Sequence, residues 1–203
     1  MLKEIVSDFI EKDNTLITAS PGNGSTVITM LFVNLLLREN KTILYYNPTT
    51  DIDEHFVKLN YPLLSTDLFF HKESLSLLLQ FLKHINYKID YLVLDSGDTL
   101  LVKRELLPLL RQQLLKNCCK IIATSQIRQD PNKGGQVYSP LEVLNKKYNN
   151  ELFKTSIWIR DVTEPTSICK SRYLDIYNNN RDGNNFVRRY IAKFDTKTGI
   201  VYE

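Results

Sequence analysis

A strand-like run, Thr15-Leu16-Ile17-Thr18, enters the octapeptide Ala19-Ser20-Pro21-Gly22-Asn23-Gly24-Ser25-Thr26, and an apolar helical segment follows over 26–38. This strand, glycine turn and helix constrain the fold more than any other stretch. The turn lies close to the pattern G-x-x-x-x-G-K-[ST]. In that pattern backbone N–H groups cradle phosphates, a lysine reaches the outer phosphates and a hydroxyl meets Mg²⁺. Here Ala19 stands at the first glycine and Ser25 stands at the lysine, while Thr26 keeps the hydroxyl. Gly22, Asn23, Gly24, Ser25 and Thr26 are the candidate nucleotide contacts. Two readings stay open. The glycines serve backbone conformation alone and no cofactor binds, or the loop holds ATP and Mg²⁺ weakly.

Downstream, short apolar runs alternate with helical segments. Strands are expected at 42–46, 68–70, 90–95 and 120–125, and helices at 2–11, 51–59, 73–85 and 103–116, with Pro108 kinking the last. Such alternation implies an α/β fold, a parallel sheet covered by helices on both faces. The pattern then changes. Residues 126–150 are polar, with Asp130-Pro131, Gly134-Gly135 and Ser139-Pro140, and read as a long loop with room for one short helix. Runs at 155–160, 168–177 and 186–194, with a short one at 199–202, read as an antiparallel meander. Residues 1–203 are expected to form a single domain.

Composition excludes several classes. The chain is 43% hydrophobic and 24% charged, within the range of soluble globular proteins. No apolar run is long enough for a membrane span, and residues 1–4 lack a signal-peptide core. Cys118, Cys119 and Cys169 have no metal-ligand spacing, which points to a reducing compartment. His55, His71 and His84 are scattered. No catalytic or metal-ligating set emerges. Charge is uneven: residues 1–100 hold 8 Lys/Arg against 13 Asp/Glu, net −5, and residues 101–203 hold 18 against 10, net +8. One face is a candidate for nucleic acid, against the alternative of a solvated surface.

Leu92-Val93-Leu94-Asp95-Ser96 resembles the RecA-family strand that ends in Asp-Ser, where the aspartate holds Mg²⁺ through water. Ile121-Ile122-Ala123-Thr124-Ser125-Gln126 resembles the family's next strand, whose glutamine senses the γ-phosphate. Thr155-Ser156-Ile157-Trp158-Ile159-Arg160, then Ser167-Ile168-Cys169-Lys170, looks like the eukaryotic recombinases and their paralogs. The resemblance implies a RecA-like P-loop core without the N-terminal DNA-binding domain of full recombinases, and is nearest to the small paralogs of the Shu-type mediator complex. It places Lys103 and Arg104 in the first DNA-facing loop, and Arg128 and Lys133 in the second.

The departures from the family are concerted. Ser25 replaces the lysine, and Tyr46-Asn47-Pro48-Thr49-Thr50 offers no carboxylate where the family has its catalytic glutamate. Arg181 resembles an arginine finger but also fits a solvated turn. The resemblance therefore implies a non-hydrolysing recombinase paralog. It would pair with another RecA-like subunit, bind DNA without sequence preference and promote recombinase assembly in homologous recombination and repair. Its place would be the nucleus in a eukaryote and the cytoplasm otherwise. A deviant RecA-like ATPase and a RecA-fold scaffold without DNA binding are the alternatives. The helix at 2–11, with Ile5, Phe9 and Ile10 on one side, is expected to pack head-to-tail on a neighbouring subunit.

Overall fold

In the computed structural model, residues 1–48, 69–71, 75–84, 88–95, 119–130, 134–162, 169–195 and 201–202 are described. The helices expected at 51–59 and 103–116, with Lys103 and Arg104, lie outside these residues, as do Lys133 and Cys118.

Five short apolar runs build the parallel part of the sheet: β1 (Thr15–Ala19), β2 (Ile43–Asn47), β3 (Phe69–His71), β4 (Tyr91–Leu94) and β5 (Lys120–Gln126). A sixth parallel strand, β8 (Thr155–Asp161), lies on the other side of β1. It follows the small ribbon formed by β6 (Arg128–Asp130) and β7 (Gln136–Tyr138). Then β9 (Cys169–Asn180), β10 (Gly183–Asp195) and β11 (Val201–Tyr202) extend the sheet antiparallel. The order across nine strands is β11-β10-β9-β8-β1-β5-β4-β2-β3. The observed meander strands run a few residues beyond the expected ones, because Arg181 and Asp182 alone make the turn between β9 and β10.

Side chains alternate between two apolar layers, as strand geometry requires. Ile17, Tyr45, Val93 and Ile122 face one core, which takes α1 (Leu2–Ile5, continuing as a π-helical turn over Val6–Ile10) and α2 (Ser25–Arg38). Leu16, Leu44, Leu92, Leu94 and Ala123 face the other, with α3 (Leu75–His84) and α4 (Pro140–Lys147). Both faces of the parallel strands are therefore dry, which is why these strands read as continuous apolar runs.

Two expectations are corrected. The apolar side of the N-terminal helix packs on this chain itself, with Phe9 covered only in part. Leu2, Ile5, Val6 and Ile10 are buried in the chain's own core. Glu4 pairs with Arg188 of β10, Glu11 pairs with Lys41 at 3.3 Å, and the Glu11 carbonyl accepts from Lys120 Nζ. Residues 126–150, expected as a long loop with room for one short helix, contain that helix but are more ordered than a loop among the described residues. They hold the β6–β7 ribbon and α4. The ribbon base is fixed by a 2.6 Å hydrogen bond between the buried Ser125 and Ser139 hydroxyls. Ser139 also caps α4: its Oγ accepts from Glu142 N at 3.3 Å, and Pro140 opens the helix. That is a Ser-x-x-Glu capping sequence, present in the chain as Ser139-Pro140-Leu141-Glu142.

Candidate functional site

The carboxyl ends of β1, β5 and β4 lie side by side, and the glycine turn, Asp95 and Gln126 all sit at that edge. Ligands in open α/β sheets bind there. Ala19 is in register with Gln126, and Ile127 N donates to the Ala19 carbonyl at 2.8 Å, so the residue before the turn is pinned to β5. Gln126 is exposed. Arg128, two residues on, is exposed at the start of the ribbon, opposite Tyr138.

The turn keeps the backbone that its glycines permit. Gly22 has φ 79° and Gly24 has φ 81°, the left-handed region that costs an L-residue strain. A Cβ at Gly22 would meet nothing within 4 Å, so conformation, not space, selects glycine there. Gly24 is the N-cap of α2, and its carbonyl accepts from Ile28 N at 3.0 Å. The first N–H groups of α2 then have no partner within the helix, which leaves a partial positive charge at Ser25 and Thr26. The Ser25 and Thr26 hydroxyls make no hydrogen bond among the described residues, while the Ser25 carbonyl accepts from Thr29 Oγ1 at 2.8 Å.

Asp95 lies one residue beyond β4 and is 1% exposed. Its Oδ2 accepts from Tyr45 Oη at 2.7 Å and from Asn47 Nδ2 at 3.1 Å, and its Oδ1 accepts from Thr124 Oγ1 at 2.8 Å. Its backbone N–H donates to the Tyr46 carbonyl at 2.9 Å. The donors come from β2 and β5, the strands on either side of β4. A carboxylate has about four lone-pair sites, so neutral protein donors take most of this one's capacity. Asn47, at the end of β2, puts an amide beside Asp95 in the segment where the resemblance calls for a carboxylate.

These residues fit Mg²⁺-ATP poorly. A metal-bound water at Asp95 would compete with three donors already in place, and Ser25 brings no charge to an outer phosphate. What remains is an anion-compatible backbone turn. Among the described residues no group of three His, Cys, Asp or Glu could hold a metal, and no helix is long and apolar enough to cross a membrane.

No family model and no curated protein matches the sequence. Among solved structures, the chain is similar to the KaiC-like protein PH0186 from the hyperthermophilic archaeon Pyrococcus horikoshii OT3. The TM-score is 0.61 at 16% identity, over 94% of this chain and 89% of that one. The fold is RecA-like. Because 235 solved chains match, the architecture by itself selects no single activity.

Two side-chain groups on the meander lie outside anything the sequence singles out as a site. Arg160 and Arg189 both pair with Asp175, and the Arg189 guanidinium lies 4.4 Å from the Tyr173 ring centroid. Arg181 pairs at 3.3 Å with Glu151 across exposed surface. The second group is a cleft of about 290 Å³ between β7, α4 and the meander. Its lining includes Glu142, Trp158, Tyr177 and Asn184. Glu142 Oε1 accepts from Trp158 Nε1 at 3.1 Å and from Asn184 Nδ2 at 3.3 Å. Burial pushes the Glu142 carboxyl above its ordinary range, partly offset by the nearby Lys146 charge and the Trp158 hydrogen bond. The capping sequence at Ser139 was the one signal pointing to Glu142. Nothing local in the chain places it 16 residues away against Trp158.

Proposed function

We propose that the chain is a non-hydrolysing RecA-fold recombinase paralog. It pairs with another RecA-like subunit, contacts DNA without sequence preference and promotes assembly of a recombinase during repair. The observation that supports non-hydrolysis is the donor set around Asp95. Phosphoryl transfer depends on positioning and electrostatics, and loss of a single such group costs roughly 3–4 kcal/mol, a hundred- to a thousand-fold in rate. With Ser25 uncharged and Asn47 beside Asp95, at least two groups are missing.

DNA contact is assigned to Lys103, Arg104, Arg128 and Lys133, acting on phosphates. If the source is eukaryotic, the nucleus is the place for this role; otherwise it is the cytoplasm. The KaiC-like neighbour supports the fold only.

The full chain should show no Mg²⁺-dependent ATP turnover above background. Turnover that disappears in Thr26→Ala would reject the reading in favour of an active ATPase. Fluorescence anisotropy with a labelled single-stranded oligonucleotide should show salt-sensitive binding, with a log–log slope that flattens by about 0.7 for each phosphate contact removed. No binding at low salt would leave a scaffold without DNA, and an unchanged slope in the quadruple alanine variant would reject these four residues as the contact. Purification from the native source identifies the partner.

A further inference from the structure

We propose that the cleft between α4 and the meander is a recognition pocket for an arginine side chain presented by a protein partner. This goes beyond the reading above and depends on neither the glycine turn nor the basic loops.

The pocket is built, not incidental. Glu142 enters from α4 and is 8% exposed. Both donors in reach, Trp158 from β8 and Asn184 from β10, use the same oxygen, Oε1. Oε2 has no hydrogen-bond partner among the described residues. Asn184 Oδ1, in the same amide that bonds Glu142, is buried without a partner. The cleft thus offers one open acceptor, the carboxylate oxygen Oε2, while Asn184 Oδ1 is closed off from it. A carboxylate oxygen left open in an aromatic-walled cleft favours a ligand that donates hydrogen bonds and carries positive charge.

The walls narrow the choice of cation. Trp158, Tyr177 and Tyr138 line the cleft, and Trp158 and Tyr177 lie with ring centroids 5.8 Å apart. Aromatic faces attract cations, and the planar guanidinium both stacks on rings and offers its donors in a fork.

The rim argues for a macromolecular source. Val137 is 61% exposed and Val143 is 55% exposed at the mouth. Phe186, also 55% exposed, extends the apolar surface from the Tyr177 ring at 5.7 Å between centroids. A desolvated anchor within an apolar ring is the pattern of protein interfaces.

The charged and titratable groups facing Glu142 are few. Lys146, one turn along α4, lines the mouth, and Tyr138 and Tyr177 face in from β7 and β9. Lys146 forms no ion pair with Glu142 among the described contacts, so the carboxylate keeps its capacity for an entering cation. Lys146 opposes that cation by like charge.

Trp158 is the only tryptophan in the chain, so intrinsic fluorescence reports on the pocket directly. The full chain is titrated with N-acetyl-arginine amide and with its neutral isostere N-acetyl-citrulline amide. Arginine should give a saturable change at about millimolar concentration, as suits a single side chain, and citrulline should bind at least about tenfold more weakly. Glu142→Gln should weaken the arginine response by about tenfold or more, and Lys146→Ala should strengthen it. Circular dichroism checks that both variants are folded. An equal response to citrulline, no response to arginine, or arginine binding unchanged in Glu142→Gln overturns the proposal. Agmatine, a free alkylguanidinium, tests the source: agmatine binding about tenfold tighter than the capped arginine would overturn a protein partner.

Discussion

Asp175 and Arg189 face each other directly across β9 and β10, and the Arg189 guanidinium donates twice to the carboxylate, Nε to Oδ1 at 2.5 Å and Nη2 to Oδ2 at 3.0 Å. Arg160 pairs with the same carboxylate from β8. Asp175 is fully buried while both arginines are nearly half exposed, so the two sides of this cluster fail differently. Asp175→Asn releases two guanidiniums that can turn to water, and should cost about 1–3 kcal/mol. Replacing both arginines by methionine strands a carboxylate with no access to solvent, and should cost more, toward roughly 3–5 kcal/mol. Urea unfolding of the variants checks the order. The reverse order would show that loss of the aspartate, not the stranded carboxylate, is the larger cost.

Asp95 is expected to be a structural carboxylate. Asp95→Ala removes the buried acceptor that Tyr45, Asn47 and Thr124 share, and a hydrogen bond to a charged group is worth about 1.5–3 kcal/mol. The variant should lose at least about 3 kcal/mol, with Tyr45→Phe losing about 1 kcal/mol. EDTA, or Mg²⁺ with ATP, should leave Tm of the native chain unchanged. A ligand at a hundred times its Kd would instead add about 2.7 kcal/mol, so a rise of several degrees with Mg²⁺-ATP would sink this role.

The parts legible in the sequence were those whose burial is local. The runs at β1, β2, β4 and β5 are apolar because both sheet faces are covered, and Gly22 and Gly24 mark the turn because only glycine takes that backbone cheaply. The β6–β7 ribbon was not legible. Its mostly polar sequence and Gly134-Gly135 look like loop, and its base is fixed by a contact between Ser125 and Ser139. The donors around Asp95 were hidden for a related reason. Tyr45, Asn47 and Thr124 meet it only once strand register is set, and the sequence does not state which strands are neighbours. The N-terminal helix showed its apolar side but not the surface that receives it.

That helix carries the next prediction. Ile5 and Ile10 are fully buried, with Leu2 and Val6 nearly so, in the core that also takes α2. Ile5→Ala should cost about 2–5 kcal/mol, the range for truncating a large buried aliphatic. Deleting residues 1–12 uncovers an apolar surface and should give an unfolded or aggregating chain at any concentration. A deletion variant that unfolds at the same temperature as the parent would restore the head-to-tail role for this segment.

Glu142 ties stability to the proposed pocket. Its carboxyl is pushed above the ordinary glutamate range by burial, so the native state holds the proton more tightly than the unfolded chain. Stability then falls as pH rises from the ordinary glutamate value through the raised one, and the loss is complete above it. Glutamine stays neutral throughout, and its carbonyl can still accept from Trp158 and Asn184. Glu142→Gln should therefore match the parent near pH 3 and exceed it at neutral pH, by about 2–4 °C in Tm for roughly 1 kcal/mol. Thermal unfolding across pH 3 to 8 reads the difference, and a gap that narrows as pH rises would contradict it. The variant expected to lose arginine binding is thus the one expected to gain stability, the exchange found where a buried charge is kept for recognition.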